Sequence, residues 1–304
     1  MNINYRSLAL TVCASSLLLS FPSMAQVTGN IDIANENEFT RFDDQNVDDR
    51  GFSKLAISGF FQNADLYPGW FAGFYNMRED GYSGRFGNQH YENGNSVMEV
   101  TIGKFNEAFW GNWGAEVMMG HESAPDAYKI RPKVFAWYPV TDRLHFNGYA
   151  MYVYQEPRKN AQESDEQVMT ELELEPQFTY RINNNFTPFV KLFWRDRHQE
   201  ITSSANADRI ENEYAIKPGV NMFFDKWKIS LWGEMGRWEI STSQELLKRY
   251  DYWRISGSTD VPISDSFSFN TELGYQENYN PKGPWDNSSP AKVPFVKLGI
   301  RYLF

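Results

Sequence analysis

Val296, Leu298, Ile300, Tyr302 and Phe304 form an unbroken apolar row at every second position of the C-terminal stretch. The positions between them, Phe295, Lys297, Gly299, Arg301 and Leu303, form a mixed row with two cations. A repeat of two is the signature of a strand with one dry face and one wet face. This strand stops on an apolar residue with no polar tail. A closed membrane barrel, which pairs its final strand with its first and leaves no free edge, is the architecture that accommodates such an ending.

The same alternation recurs along the chain. Strands are expected over Asn30–Phe39, Lys54–Phe61, Trp70–Met77, Val97–Phe105, Trp113–His121, Tyr128–Val140, Leu144–Tyr154, Val168–Tyr180, Phe186–Arg195, Ile210–Phe224, Trp227–Trp238, Tyr250–Val261, Phe267–Gln276 and Val293–Phe304. Short links such as Asn63–Gly69, Thr141–Arg143, Arg181–Asn185, Asp225–Lys226 and Pro262–Ser266 carry turn chemistry. They alternate with segments expected as loops: Glu79–Glu92, the short Glu122–Ala127, Gln155–Glu166, Asp196–Arg209, Glu239–Arg249 and Glu277–Lys292. The predicted fold class is all-β, a transmembrane antiparallel up-and-down β-barrel of about fourteen strands, with short periplasmic turns and longer extracellular loops.

Composition agrees with a barrel that is wet inside. Mean hydropathy is −0.57, and past Ala25 nothing approaches the ~18 consecutive apolar residues of a spanning helix. Yet the chain has 23 Phe, 17 Tyr and 10 Trp, the kind of excess that forms aromatic girdles at both membrane surfaces. Met1–Ala25, with Arg6, an apolar run from Leu8 to Phe21 and the small-residue ending Ser23-Met24-Ala25, reads as a secretory signal peptide, and residues 26–304 as a single barrel domain. Removing the first 25 of 304 residues leaves 279 and, with Arg6 lost, moves the formal charge from −10 to −11. An acidic surplus argues against nucleic acid as a partner. Cys13, the single cysteine, leaves with the signal peptide, so neither a disulfide framework nor a thiolate metal site is expected.

The layout from about Asn30 to Phe304 resembles the monomeric fourteen-stranded porins of the OmpG family. The likeness is clearest at Thr141-Asp142-Arg143-Leu144-His145-Phe146-Asn147-Gly148 and in the register of Tyr250–Gln276 and Phe295–Phe304. The resemblance implies a wide, non-selective pore that works as one chain and passes small solutes and sugars. The twelve-stranded KdgM-type oligosaccharide porins are the related alternative. Porins of the OmpG type close at low pH through a pair of histidines on neighbouring strands; by register the matching positions here are Tyr250 and Tyr279, which do not titrate near pH 6. That particular gate is therefore expected to be missing, whether or not Glu239–Arg249 folds over the pore.

Parity assigns the interior charges. The expected pore-lining cations are Lys129, Arg131, Lys133, Lys191, Arg195, Lys217, Arg254, Lys297 and Arg301; the anions are Glu171, Glu173, Glu175, Glu211, Glu213, Glu234 and Glu272, with Glu116 beside them. Only Leu144–Tyr154 separates the cationic row Lys129, Arg131, Lys133 from the glutamate row Glu171, Glu173, Glu175. The two rows are thus placed to face each other and set up a transverse field. The bland reading is of wall charges that neutralise one another. Trp113, Tyr154, Tyr180, Trp194, Trp227 and Tyr302 are expected in the girdles, and Phe193, Trp232 and Trp238 inside.

An outer-membrane protease or phospholipase is the competing class. It needs a base at the outer rim with an orienting partner, and His121 with Glu122 and Asp126 comes nearest; His90 and His198 fall in expected loops and His145 follows a periplasmic turn. Asp43, Asp44, Asp48 and Asp49 read as a solvated acidic loop before a metal site. A structural or adhesive barrel is the third class, although such barrels have about eight strands and a filled interior. The reading is a monomeric porin of a Gram-negative outer membrane, with no catalytic residue, cofactor or metal. Its expected partners are outer-membrane lipid, lipopolysaccharide, small solutes or oligosaccharides, and the barrel-assembly machinery engaging the strand that ends at Phe304.

Overall fold

A computed structural model describes residues 27–304 apart from the segments 45–47, 85–89, 92–93, 110, 125, 158–166, 202–207 and 285–289; the signal-peptide reading lies outside the described residues. Fourteen long strands follow one another: β1 (Thr28–Phe42), β2 (Arg50–Gln62), β3 (Trp70–Ser83), β4 (Asn95–Ala108), β5 (Gly111–Ser123), β6 (Asp126–Pro139), β7 (Leu144–Pro157), β8 (Gln167–Tyr180), β9 (Phe186–Ile201), β10 (Arg209–Phe224), β11 (Trp227–Ser241), β12 (Leu246–Pro262), β13 (Phe267–Lys282) and β14 (Ala291–Leu303). A two-residue bridge, His90–Tyr91, adds to the end of β3.

Each strand pairs antiparallel with the next, and β14 returns to β1 from Leu303 opposite Asn30 to Ala291 opposite Phe42. Gly29 and Phe304 exchange amide hydrogen bonds of 3.0 and 3.2 Å at the end of this seam. Closure answers the constraint set by hydrocarbon, where each unpaired backbone group would cost several kcal/mol. The fold is an up-and-down β-barrel, closed on itself.

The burial pattern inverts that of a water-soluble sandwich. Val134, Met235 and Ile255 are 55%, 58% and 60% exposed, whereas Glu99 and Glu234 are only 3% and 7% exposed. Apolar rows therefore face outward and charged rows face inward, as period-two alternation in a membrane barrel requires. Trp113, Tyr180, Trp194, Trp227 and Tyr302 stand exposed on the outward row, with Tyr154 half-buried beside them.

Side-chain oxygens hold the tight turns. Thr141 Oγ1 accepts from the amides of Arg143 and Leu144, Asn183 Oδ1 from those of Asn185 and Phe186, and Ser264 Oγ from those of Ser266 and Phe267. In the two-residue link between β10 and β11, Asp225 takes a φ of 52°, a left-handed conformation that Asp tolerates better than most residues. The first described residue, Val27, and the C-terminal Phe304 lie at this turn end of the barrel, where Leu303 donates to the Ser266 carbonyl at 2.7 Å.

Strands on the loop side run further than sequence alternation indicates. β9 continues through Asp196, Arg197 and His198 to Ile201, β13 continues to Lys282, and the segment Glu239–Arg249 is mostly strand, leaving only Thr242–Glu245 as a link. Thr242 Oγ1 accepts from the Gln244 and Glu245 amides, so this link is a clamped turn. Above the membrane both strand faces are wet, and the apolar row that marks a strand in sequence disappears there while the hydrogen-bonded ladder persists.

Candidate pore lining

Inward side chains on β8 to β12 form one continuous ion network. Arg197 bridges Glu171 at 2.7 Å and Glu211 at 3.1 Å. Arg195 bridges Glu211 at 2.8 Å and Glu213 at 2.7 Å. The Tyr252 hydroxyl lies 2.8 Å from Glu213 and 2.9 Å from Glu234. Lys217 reaches Glu234 at 3.6 Å and Glu175 at 3.2 Å, and Lys191 meets Glu175 at 3.3 Å. Five carboxylates and four cations on four strands, β8 to β11, are thus linked to one another, with one negative charge in excess and Tyr252 on β12 tying in two of the carboxylates. Reciprocal pairing of this kind is what lets so many charges leave bulk water together.

A second group covers β4 to β6. Lys129 pairs with Glu122 at 2.8 Å, Arg131 with Glu99, and Lys133 with Glu116 at 3.2 Å. The cationic row therefore pairs back toward β4 and β5, and the glutamate row pairs forward toward β9 and β10; the two rows do not face each other as a bare dipole across β7. Tyr149 fills the gap, with the Lys133 ammonium 4.8 Å from its ring centroid and its hydroxyl donating to Glu173. The stagger between strands decides these partners. Long side chains reach along the wall to whichever carboxylate lies diagonally within range.

A third group lies on β12, β14, β1 and β2, where Arg301 meets Asp32 at 2.6 Å and Asp260 at 3.6 Å, and Lys54 meets Glu36 at 3.0 Å. Glu272 and Lys297 are cross-strand partners here, and the Arg254 guanidinium lies 4.9 Å from the Phe295 ring centroid. Phe295 in turn covers Gly274, where any Cβ would stand about 2.1 Å from the ring. Beside this sector the interior opens into a chamber of about 490 Å³ lined by β1, β2, β3 and β11 to β14.

Sequence reading missed several of these groups. Arg197 fell beyond the expected end of its strand. Glu99, Glu36, Lys54 and Asp32 sat singly on mixed rows, where no run of like charge drew attention to them. It also missed an inward aromatic cluster at the turn end, in which the Phe71 ring lies 4.7 Å from Phe105 and 5.3 Å from Phe60, and Phe105 lies 5.4 Å from Phe135. Glycines opposite large rings were the available signal, since Gly103 and Gly114 make the hollows that Phe71 and Phe135 fill. Trp238 does point inward, its indole donating to Glu211 at 2.9 Å, and Phe193 lies under the Lys217 ammonium at 4.1 Å.

The constellation that came nearest to a catalytic site is divided between the two faces of the wall. His121 and Asp126, 2.6 Å apart, share the outward row with Tyr128, whereas Glu122 points inward to Lys129. Among the described residues no group of three or more His, Cys, Asp or Glu side chains is placed to hold a metal ion; Asp43 pairs with Lys292 at 2.8 Å and Asp49 accepts from the Phe42 amide.

Tyr250 and Tyr279 do not face each other. In the β12–β13 ladder Tyr279 stands opposite Asp251 on the outward row, in step with Trp253 and Glu277, and the register shifts only beyond that pair, where Asn280 takes a φ of 52°. Tyr250 stays inside, 5.0 Å from the Trp238 ring. With no histidine pair at these positions and only the clamped Thr242–Glu245 turn above them, conductance in a planar bilayer is expected to stay level from pH 7 to pH 5, a range over which tyrosine keeps its proton. A steep, reversible loss across that range would contradict it.

A family model described as the OMPG-porin 1 family matches residues 24–304. The chain belongs to that family. Membership makes it an outer-membrane channel, and the resemblance read at Thr141–Gly148 and along the strand layout points the same way. Among solved structures it is similar to the CymD monoaromatic hydrocarbon channel, with a TM-score of 0.52, 8% identity, and 90% of this chain and 88% of that one covered. It is likewise similar to a deltaS2 mutant of the TodX monoaromatic hydrocarbon channel, with a TM-score of 0.53, 8% identity, and 94% and 91% covered. At such identity these likenesses speak for the barrel fold alone. No curated protein sequence matches this chain.

Proposed function

We propose that this porin is a monomeric, passive pore of a Gram-negative outer membrane for small hydrophilic solutes, oligosaccharides among them. The observation that carries the reading is the charged, ion-paired interior wall beside a polar chamber of about 490 Å³. A structural barrel would fill that space with side chains, while a wall of matched charges keeps it wet. The residues assigned to the pore lining are those placed above: Lys129, Arg131 and Lys133; Glu171, Glu173 and Glu175; the β9–β12 network; and Arg254, Glu272, Lys297 and Arg301, with Arg197 and Glu99 added. Near-balance of the two signs supports weak ion selectivity, since strong selectivity calls for a ring of one sign.

The pore performs no chemistry in this reading, and separation of Glu122 from His121 and Asp126 removes the best-placed candidate base and its partners from a common site. Residues 1–25 direct secretion and are removed. The mature barrel then reaches the membrane through assembly machinery that engages the strand ending at Phe304, and sits among lipid and lipopolysaccharide.

Liposomes carrying the purified protein are expected to swell in isotonic sugar solutions at rates that fall as the sugar grows from mono- to tetrasaccharide. Swelling no faster than in protein-free liposomes would overturn the proposal.

A further inference from the structure

Phenylalanine rings interrupt the wet row on one side of the barrel's turn end. Phe60 on β2, Phe71 on β3, Phe105 on β4 and Phe135 on β6 form an unbroken inward arc, with successive centroids 5.3, 4.7 and 5.4 Å apart. Trp137 follows Phe135 on the inward row of β6 and stacks on the His145 ring at 5.3 Å, the planes 19° apart. Alternation in a wet barrel puts polar side chains at such positions, and lipid does not account for rings on the lumen side. Phe71 and Phe135 fill the hollows over Gly103 and Gly114, which is packing within the wall. Phe105 and Trp137 are not packed away and remain 41% and 42% exposed.

We propose that this arc is a stacking subsite for the pyranose rings of a neutral oligosaccharide. Phe105 and Trp137 carry the apolar C–H faces of the sugar, and polar side chains at the borders of the arc take its hydroxyl groups. The inference rests on the porin reading and names the solute class that the pore holds at its turn-end mouth.

Three features carry it. A contiguous apolar patch with a polar border is the mark of a binding surface, and a flat ring edged by donors and acceptors complements a sugar, which has an apolar face and a rim of hydroxyls. The border is also closed to ions. Lys133 stands opposite Glu116 and pairs with it at 3.2 Å, its ammonium 6.0 Å from the Phe135 centroid, so a charged solute would have to break that pair. On the other border Asn147 lies opposite both Trp137 on β6 and Gln177 on β8, and these amides would stay unused by a purely apolar solute. Third, the glycine hollows fix Phe71 and Phe135 before any solute arrives, which lowers the cost of ordering the surface they support.

The test is single-channel recording in a planar bilayer, with maltotetraose or a polyethylene glycol of the same mass added at equal concentration. The sugar is expected to lengthen current interruptions by about tenfold over the glycol, each of the two exposed rings contributing roughly threefold. The difference should persist as salt rises, because no charge carries it. Phe105→Leu and Trp137→Leu keep apolar bulk but lose the flat face, and each should shorten the interruptions about threefold. Trp113→Leu, on the outward row at the same end, serves as the control and should leave them unchanged. Migration of the folded form on unheated gels identifies variants that assemble, and either of the two lumen variants suffices alone. Equal interruption by sugar and glycol, a difference that survives both lumen substitutions, or one that vanishes with salt would overturn the proposal. Interruption by benzyl alcohol and not by the sugar would assign the arc to apolar solutes and overturn it as well. A wild-type protein that opens no channel would instead overturn the porin reading beneath it.

Discussion

Replacing Glu171, Glu173 and Glu175 together by Gln is expected to turn a weakly selective channel into one that favours anions. Two of these carboxylates are counter-charges. Glu171 neutralises Arg197, and Glu175 neutralises both Lys191 and Lys217. Removing the row deletes three negative charges, leaves Lys191 without a carboxylate partner, and takes one of two partners from each of Arg197 and Lys217. A unit charge seen through water at ~4 Å is worth on the order of 1 kcal/mol, so the anion-to-cation permeability ratio should rise roughly fivefold or more. The reversal potential in a salt gradient reads this directly, and an unchanged value would reject the assignment of these residues to the pore lining. Gln keeps the hydrogen-bonding capacity of each position, including the acceptor for Tyr149, which limits the change to charge.

Arg197→Ala is expected to cost about 3 kcal/mol of barrel stability, the lower end of what breaking one side of a buried ion pair does. Its guanidinium is the ion partner of Glu171 and one of two ion partners of Glu211. The Glu171 side chain is only 8% exposed, so without Arg197 its charge has little water to turn to. Urea unfolding in lipid vesicles would show the loss as a lower midpoint. Arg197→Lys should recover part of it, because a point charge can meet one carboxylate but cannot bridge two with a planar fork. A midpoint within error of the wild type for Arg197→Ala would mean that lumen water already screens the pair.

The barrel was legible in the sequence because hydrocarbon enforces alternation so strictly. Rows such as Val296 to Phe304 and Leu144 to Tyr154 remain apolar for the full membrane depth, and each short turn has a residue such as Asn183 or Ser264 that can clamp it. Legibility ended where lipid ends. Asp196 to Ile201 and Glu239 to Ser241 have water on both faces, so their strand character lies in backbone pairing and leaves no trace in side-chain pattern. Inward parity was readable for Arg131 or Glu175, but partners were not, because strand stagger decides whether Arg131 meets Glu99 or a glutamate on β8. The bulge after Tyr279 is a case of the same kind. It leaves Asn280 and Pro281 opposite the single residue Tyr250, beyond the apolar row of β13, where no side-chain pattern marks it.

The seam between β1 and β14 has a kinetic consequence. Asp32 and Arg301, which meet across it, are 269 residues apart in the chain, so the cylinder cannot be completed until almost the whole polypeptide is available. Contacts of such long range are slow to find and leave hydrogen-bonding edges exposed while the search lasts. Until the seam closes, β1 and β14 each present a row of unpaired amides and carbonyls to any neighbouring chain.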